Sequence, residues 1–561
     1  IIPPLWHVIP GGRYVDQSNR DYNGYPGIDT ISPRPAKGVK PPGWKDRPGG
    51  APGGAVIYQG DTFPDRYRGK LFNCMVHDHS LVTDRLEPDG GSGFRGTFDA
   101  RAFEVADANF MGFHVTPAPD GGLYVLDWNS RWSFNCHGGA PGDVDTGRVY
   151  KVQAKDAKPL VVDLRGKTEA ELVAMHLHRN EWFVRHARRL LQERAAKGPL
   201  APATVAGLTE ILDNNPDVGR KLRALWTLHA CGALPPGKAD ALLAHADAYV
   251  RGWAVQLLCE GGKPSPAVAT KFVELAKADP SPVVRLYLAS ALQRLPAAEA
   301  WPVALALAGH AEDAGDHNLP AMVWFGSEPL VAEGYDQAKA FAAAAKMPLL
   351  REYAARRVVQ TDVARGNADG LGKLLADLPT LPADVRTPLM RGLATALAGR
   401  RNVAAPGWPA AKAALLASAT GAETKALVAE LGARFGDAAT IDTLLEVAGD
   451  PKEPPAARAA AIRQVAAAGD ARLVAVLAKA VREPALDDAV LPALAAYADP
   501  AIPGAVFNAV RDKATPPARR QALVAAVAGR REFVGPLLSA LKKGDVKPAD
   551  LSAPAVRTLA A

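Results

Sequence analysis

Residues 113–152, FHVTPAPDGGLYVLDWNSRWSFNCHGGAPGDVDTGRVYKV, decide how the first part of this chain is read. Asp120-Gly121-Gly122 is a tight-turn signal, because glycine reaches positive φ without a Cβ clash. The alternating, β-rich run Leu123-Tyr124-Val125-Leu126 follows at once, and Asp127-Trp128 closes it. After a loop rich in Gly, Pro and Asp, residues 147–152 supply another strand. Strand, Asp-Gly turn, strand, long irregular loop, strand is the order of a β-propeller blade, and the loops at blade ends are where such folds keep their ligands.

Working outward, 561 residues are too many for one compact core, so two or more domains are expected. A hydrophobic content of 48% with 22% charged residues is ordinary for a soluble globular protein. The net charge of +7 comes without any run of five basic residues, which argues against nucleic acid as the main partner. No apolar stretch approaches the roughly 18 residues of a membrane-spanning helix. Cys74, Cys136, Cys231 and Cys259 form no CxxC or CxxCH, so neither a covalent c-type haem site nor a zinc ribbon is expected. A propeller of roughly 4–8 blades at about 40–50 residues each does not fit into 150 residues. Residues 1–154 are therefore expected to be only the last blades of one, an open all-β set with an unpaired edge, poorly packed on the Ile1 side.

The grammar changes near Lys155. Residues 155–167 read as a linker, and Thr168 with Glu171 three positions on is a capping-box signal for a helix start. Beyond it the text is Ala- and Leu-rich, punctuated by Pro and Gly between segments of about 12–18 residues. An apolar residue followed by Arg recurs at Arg185, Arg223, Arg251 and Arg285, with echoes at Arg386, Arg458 and Arg519, and Asp precedes the helices at Asp217, Asp247 and Asp279. Helix pairs at this period cannot bury their apolar stripes alone and stack into a solenoid. Residues 168–561 are thus expected to form an all-α, HEAT-like solenoid, in which such Asp and Arg residues pair between successive turns.

Several motifs in order carry a family resemblance: Leu5-Trp6-His7-Val8-Ile9-Pro10-Gly11-Gly12, Pro64-Asp65-Arg66-Tyr67-Arg68-Gly69, Pro119-Asp120-Gly121-Gly122, Cys136-His137 and His178-Arg179-Asn180-Glu181-Trp182-Phe183. The chain resembles the membrane-bound dehydrogenase family of planctomycete-type bacteria. Its members look like a propeller similar to quinone-dependent sugar and sorbosone dehydrogenases, followed by HEAT-like repeats and often a c-type cytochrome domain. The resemblance implies an extracytoplasmic protein oxidising a sugar or related alcohol or aldehyde, with pyrroloquinoline quinone and calcium as cofactors. It also implies a protein partner or c-type cytochrome on the solenoid. A non-catalytic scaffold for a polysaccharide or protein is the alternative reading.

Among candidate residues, His77-Asp78-His79 follows a strand over 69–76. A strand-end imidazole beside a carboxylate can act as a general base, with His77 the catalytic candidate; the alternative is a loop histidine hydrogen-bonded to backbone. Arg13 and Arg148 offer guanidinium forks for an anionic cofactor or substrate, with His79 and Trp128 beside them as binding candidates. Against this stands a plain ion pair of Arg148 with Asp127 or Asp145. Asp120 and Asp127 are weak calcium candidates, since the first Asp of an Asp-Gly pair more often just makes the turn. Cys74 and Cys136 are read either as free structural thiols or, if the protein is exported as the resemblance implies, as a disulfide. Cys231 and Cys259 hold equivalent places in successive repeats and read as buried free thiols. His176, His178 and His186 with Arg179, Arg185, Arg188 and Arg189 form the most basic stretch, either a receptor for an anion or an amphipathic helix with its arginines in water.

Overall fold

The computed structural model describes residues 5–15, 25–31, 52–107, 109–129, 146–158, 160–261, 263–418 and 421–560. The Asp120-Gly121-Gly122 turn forms as read: Gly121 takes φ +79°, and the Ala118 amide donates to the Gly122 carbonyl at 2.8 Å. It joins β5 (Gly112–Pro117) to β6 (Leu123–Asp127), and β7 (Arg148–Val152) pairs antiparallel on the far side of β6. A second antiparallel sheet runs in chain order through β1 (Pro52–Ile57), β2 (Leu71–Met75), β3 (Ser80–Pro88) and β4 (Phe94–Glu104). The two sheets share one core, in which Tyr58, Phe72, Cys74, Phe110, Val115 and Leu123 pack together. They touch where β1 crosses β5, and a Cβ on Gly54, at φ +54°, would lie 2.6 Å from the His114 Cα. Only glycine permits that backbone contact.

The described strands thus make two small antiparallel sheets, and no closed ring of blades is present among the described residues. The expectation of poor packing toward Ile1 is corrected from Leu5 onward. The edge strand β4 is met by the chain itself: the Gly96 amide donates to the Ile31 carbonyl at 3.1 Å, and the Ile31 amide to that of Leu5 at 2.8 Å. Ile9, Tyr25 and Ile28 are buried behind this cover. An edge with free amides and carbonyls invites foreign pairing, and this chain occupies it with its own segments.

Thr168 opens the helical part with the predicted capping box: its hydroxyl accepts from the Glu171 amide while the Glu171 carboxylate accepts from the Thr168 amide. There follow α1 (Glu169–Ala174), α2 (Glu181–Ala195), α3 (Pro202–Asn214), α4 (Val218–Ala230), α5 (Lys238–Leu242), α6 (Ala248–Leu258), α7 (Pro266–Ala278), α8 (Pro282–Ala291), α9 (Ala297–Ala308) and α10 (Leu319–Val331). α2, α4, α6 and α8 stack in one row, each against the next; α1 packs on α3, and α7 on α9, in the facing row. This is helical-repeat packing, each pair covering the apolar stripe of its neighbour.

The strand-to-helix change at residues 155–167 is not where the compact units divide. One unit comprises Ile1–Leu330 with Ala344–Met347, the other Val331–Ala343 with Pro348–Ala561. The sheets belong with the first helices because hydrogen bonds join them. Asn180, which caps α2, donates to Asp61 and to the Pro119 carbonyl, both at 3.1 Å, and Arg68 donates to the Arg179 carbonyl at 2.8 Å. The second unit is helical throughout its described residues. Pro348–Arg365, Ala383–Ala396, Ala422–Phe435 and Pro455–Ala468 stack in sequence, and the last of these feeds a core that continues through Leu494, Val506 and Leu537.

Five of the seven recurring arginines form the predicted ladder; Arg185 stays exposed and Arg386 donates to the Ser418 hydroxyl. Arg223 pairs with Glu181 at 2.5 Å, Arg251 takes both oxygens of Asp279 at 2.7 and 2.8 Å, and Arg285 both oxygens of Asp313 at 2.6 and 2.5 Å. Each guanidinium also donates to backbone carbonyls, Arg285 to Asp279 and Arg251 to His245 and Ala246. In the second unit Arg458 pairs with Glu483 and Arg519 with Asp487 in the same bidentate way. Asp217 and Asp247 do a different job from Asp279, since they cap α4 and α6.

Arg285 and Asp313 are 4% and 5% exposed, so removing one leaves the other buried and unpaired. Arg285→Ala is expected to lower unfolding stability by about 3–5 kcal/mol. The double variant Arg285→Met with Asp313→Leu is expected to recover most of that loss. Urea melts followed by circular dichroism check both, and an unchanged midpoint for the single variant would contradict the ladder.

Candidate functional site

The structure separates the residues singled out in the sequence. His77 lies in the turn Val76–Asp78 between β2 and β3, and its side chain lies outside the described residues. Asp78 does not serve a neighbouring histidine: its carboxylate accepts from Arg101 at 3.0 and 3.1 Å and from Ser80 at 2.8 Å. His79 adopts φ +51° and sets Nδ1 against the Phe110 carbonyl. Arg148 pairs with Asp107 at 2.9 Å and donates to the Tyr150 hydroxyl at 3.0 Å, a plain ion pair whose partner differs from the two expected. Trp128, 40% exposed, stacks on Phe113 with centroids 4.6 Å apart. His79, Trp128 and Arg148 thus gather round the loop that carries Asp107, Phe110 and Met111, and each is held by it or beside it. Arg13 lies apart from them, its guanidinium 6.0 Å from the Phe325 ring centroid.

The two weak metal candidates each use one carboxylate oxygen to hold backbone amides. Asp127 Oδ1 accepts from the Met111 and Asn129 amides at 2.6 and 2.8 Å, while Asp120 accepts from the Gly122 amide at 3.2 Å and pairs with Lys151. Among the described residues no group of three His, Cys, Asp or Glu side chains could hold a metal ion. Of the two guanidiniums expected at an anionic cofactor, Arg148 is paired with Asp107. Cys136, His137 and Asp145 lie outside the described residues. Cys74 is fully buried, and burial pushes its thiol up to about 12. Cys231 and Cys259 cap the C-termini of α4 and α6 as equivalent free thiols; Cys259 is buried and Cys231 only partly so.

What the fold does assemble is an aromatic stripe that went unmarked in the sequence. Trp226, Trp253 and Tyr287 sit on α4, α6 and α8, two or three residues after the ladder arginines Arg223, Arg251 and Arg285. Because the ladder holds those helices in register, the rings meet: Trp226 and Trp253 at 5.0 Å, Trp253 and Tyr287 at 6.1 Å, with the Arg188 guanidinium 5.4 Å from the Trp226 centroid. Gly252 makes the room, since a Cβ there would lie 2.6 Å from the Tyr287 ring. Facing the stripe are residues 7–10, pinned where Ser290 donates to the Pro10 carbonyl at 2.7 Å and Gln293 to that of Gly11 at 2.9 Å.

Between them lies a cleft of about 310 Å³, walled by Phe94, Tyr249, Trp253 and Tyr287, with His7 and Gln256 among its polar groups. Tyr249 is 37% exposed at its edge. His7 stands edge-on to Phe94 at 5.3 Å, and its buried Nδ1 has no hydrogen-bond partner among the described residues. Burial, the largest influence on it, holds His7 below the ordinary imidazole value, so the ring is neutral at pH 7. The cleft therefore offers flat apolar walls and a few fixed polar atoms, the make-up of a small-ligand site. The repeating aromatic after each arginine was the available signal.

The basic stretch resolves mostly into structure. α2 buries Val184, Ala187, Leu190 and Leu191, while Arg185 and Arg189 stay exposed. His176 is fully buried between the Leu172 carbonyl at 3.0 Å and the Thr227 hydroxyl at 2.8 Å.

Neither a family model nor a curated protein matches this sequence. Among solved structures the chain is similar to one described as Kap121p bound to Pho4p (TM-score 0.41, 12% identity, 68% of this chain and 48% of that one). Another is the Kap95:Nup1 complex (TM-score 0.24, 11% identity, 71% and 56%). The match spans about half the length of each. At these scores the likeness carries no argument, and the helical-repeat class rests on the packing and ladder above.

Two outcomes are expected here. Gly252→Ala drives a methyl into Tyr287 and is expected to cost about 1–3 kcal/mol and to alter the near-ultraviolet dichroism of the stripe. Burial lowers His176 from 6.5 to about 4, so the unfolded chain takes up a proton before the folded one does. Stability is then full above pH 6.5 and falls as pH drops toward 4, by about 3 kcal/mol in all. His176→Gln is expected to flatten that part of the profile in melts at stepped pH.

Proposed function

We propose that this chain is a saccharide-holding, helical-repeat scaffold rather than a catalytic unit. The observation that carries the reading is the cleft walled by Phe94, Tyr249, Trp253 and Tyr287. A pyranose ring has an apolar C–H face and a hydroxyl edge; aromatic walls take the first, and the polar groups of the cleft, Gln256 and Ser290 among them, take the second. The cleft is framed by two well-anchored parts, the ladder helices and the segment held by Ser290 and Gln293, so little ordering is required on binding.

A second reading is favoured by one observation. A four-stranded antiparallel sheet whose spatial order equals its chain order is how a propeller blade is built. It supports membership in the propeller-type, quinone-dependent dehydrogenase family that the motifs resemble, with an extracytoplasmic location. In that case the present residues serve as the substrate-holding part, and oxidation of the sugar is carried out by groups other than those described.

Titration of the whole chain with neutral oligosaccharides, followed by tryptophan fluorescence and calorimetry, tests the first reading. Tyr249→Ala, at the exposed edge, is expected to weaken binding about tenfold with an unchanged melting midpoint, as the loss of one aromatic wall implies. Absence of binding across neutral glucans, mannans and xylans would remove the reading. Dye-linked oxidation of the same sugars with added quinone and calcium tests the second: turnover by this chain would overturn its non-catalytic role.

A further inference from the structure

A second cleft, of about 320 Å³, lies where the ends of β1 and β5 meet the first turns of α2. It differs from the aromatic cleft in carrying charge. Of its lining groups, Glu181 is committed: it is paired with Arg223 at 2.5 Å, and both side chains are nearly buried, 12% and 13% exposed. Arg185 is not neutralised to the same degree. Its guanidinium is 61% exposed, with Nε 4.0 Å from the already occupied Glu181 carboxylate. Trp182 supplies a flat wall, stacked at 3.7 Å on His186, whose Nδ1 faces the Trp182 carbonyl at 2.8 Å. A carbonyl only accepts, so Nδ1 is the donor and Nε2 is the ring's remaining polar atom. The side chains of Gln59 and Thr116, also lining the cleft, have no hydrogen-bond partner among the described residues.

We propose that this cleft binds a pyranose ring bearing a carboxylate. Arg185 takes the carboxylate through its planar fork, Trp182 takes the apolar ring face, and Gln59, Thr116 and His186 take hydroxyls. A neutral sugar leaves Arg185 unused, and a cation meets a guanidinium where it needs a free carboxylate. The ligand class rests on the saccharide reading above, but the site does not depend on the aromatic cleft.

The test uses the full chain with three probes: a galacturonate trimer, its methyl ester, and cellotriose. The acid trimer is expected to bind about tenfold tighter than its ester, the size of one charge-assisted contact. Arg185→Gln is expected to abolish that preference while leaving cellotriose affinity unchanged, and Arg185→Lys to restore part of it. Equal binding of acid and ester, or a preference that survives Arg185→Gln, overturns the proposal even when cellotriose binds normally. A sulfated trimer bound as tightly as the acid would also overturn it, because the site would then read charge and not the carboxylate. Loss of cellotriose binding with the acid preference intact would instead count against the neutral-saccharide cleft alone.

Discussion

A guanidinium taken out of water must find a carboxylate and enough carbonyls, or the fold does not hold it. Arg223, Arg251 and Arg285 meet that demand across turns of the chain, each reaching an acid carried by a neighbouring repeat. Apolar contact alone would let one helix slide along the next by a residue at little loss. The bidentate pairs do not, because Arg251 and Arg285 each need two oxygens in a fixed plane. Register fixed in this way is what turns three scattered aromatics into a continuous stripe, and the aromatic cleft is a by-product of it.

The second constraint is the seam between sheets and helices. Asn180 works on both sides of it: Oδ1 caps α2 through the Trp182 amide at 3.0 Å, while Nδ2 holds Asp61 and the Pro119 carbonyl. The residue is 1% exposed, so the seam is dry at that point and its hydrogen bonds are not traded with water. The charged cleft opens beside it. Both clefts therefore lie within one compact unit, each bounded on one side by helices of the same row and on the other by the sheet region or the segments that cover it.

Local signals were read correctly from sequence because their physics is local. The Asp120-Gly121-Gly122 turn needs only glycine's freedom at φ +79°, and the Thr168–Glu171 capping box only four residues. The ladder was legible in part: Arg251 with Asp279 and Arg285 with Asp313 share an offset of 28 residues, whereas Arg223 reaches back to Glu181. The site was not legible in the same way. Whether Arg148 is free depends on Asp107, 41 residues away, and Asp78 is taken by Arg101 from a different strand. The covering of β4 by Leu5 and Ile31 depends on where the first segment runs, which no periodicity reports.

Those partners bear on what each residue can do. Most of the groups that the sequence offered for chemistry and that lie among the described residues have partners. Asp78, Asp107, Asp120 and Asp127 all have donors or cations on them, and His79 faces a carbonyl. A group already satisfied must lose that partner before it can act on a substrate, and in a packed site the loss is seldom repaid. Besides the buried Asp127 Oδ2, capacity is left on other groups: the buried His7 nitrogen, the amide of Gln59, the hydroxyl of Thr116 and the guanidinium of Arg185. These last four line clefts with an indole in the wall, Trp253 or Trp182. Unmet hydrogen-bonding capacity beside a flat apolar wall is suited to holding a polyhydroxylated ring.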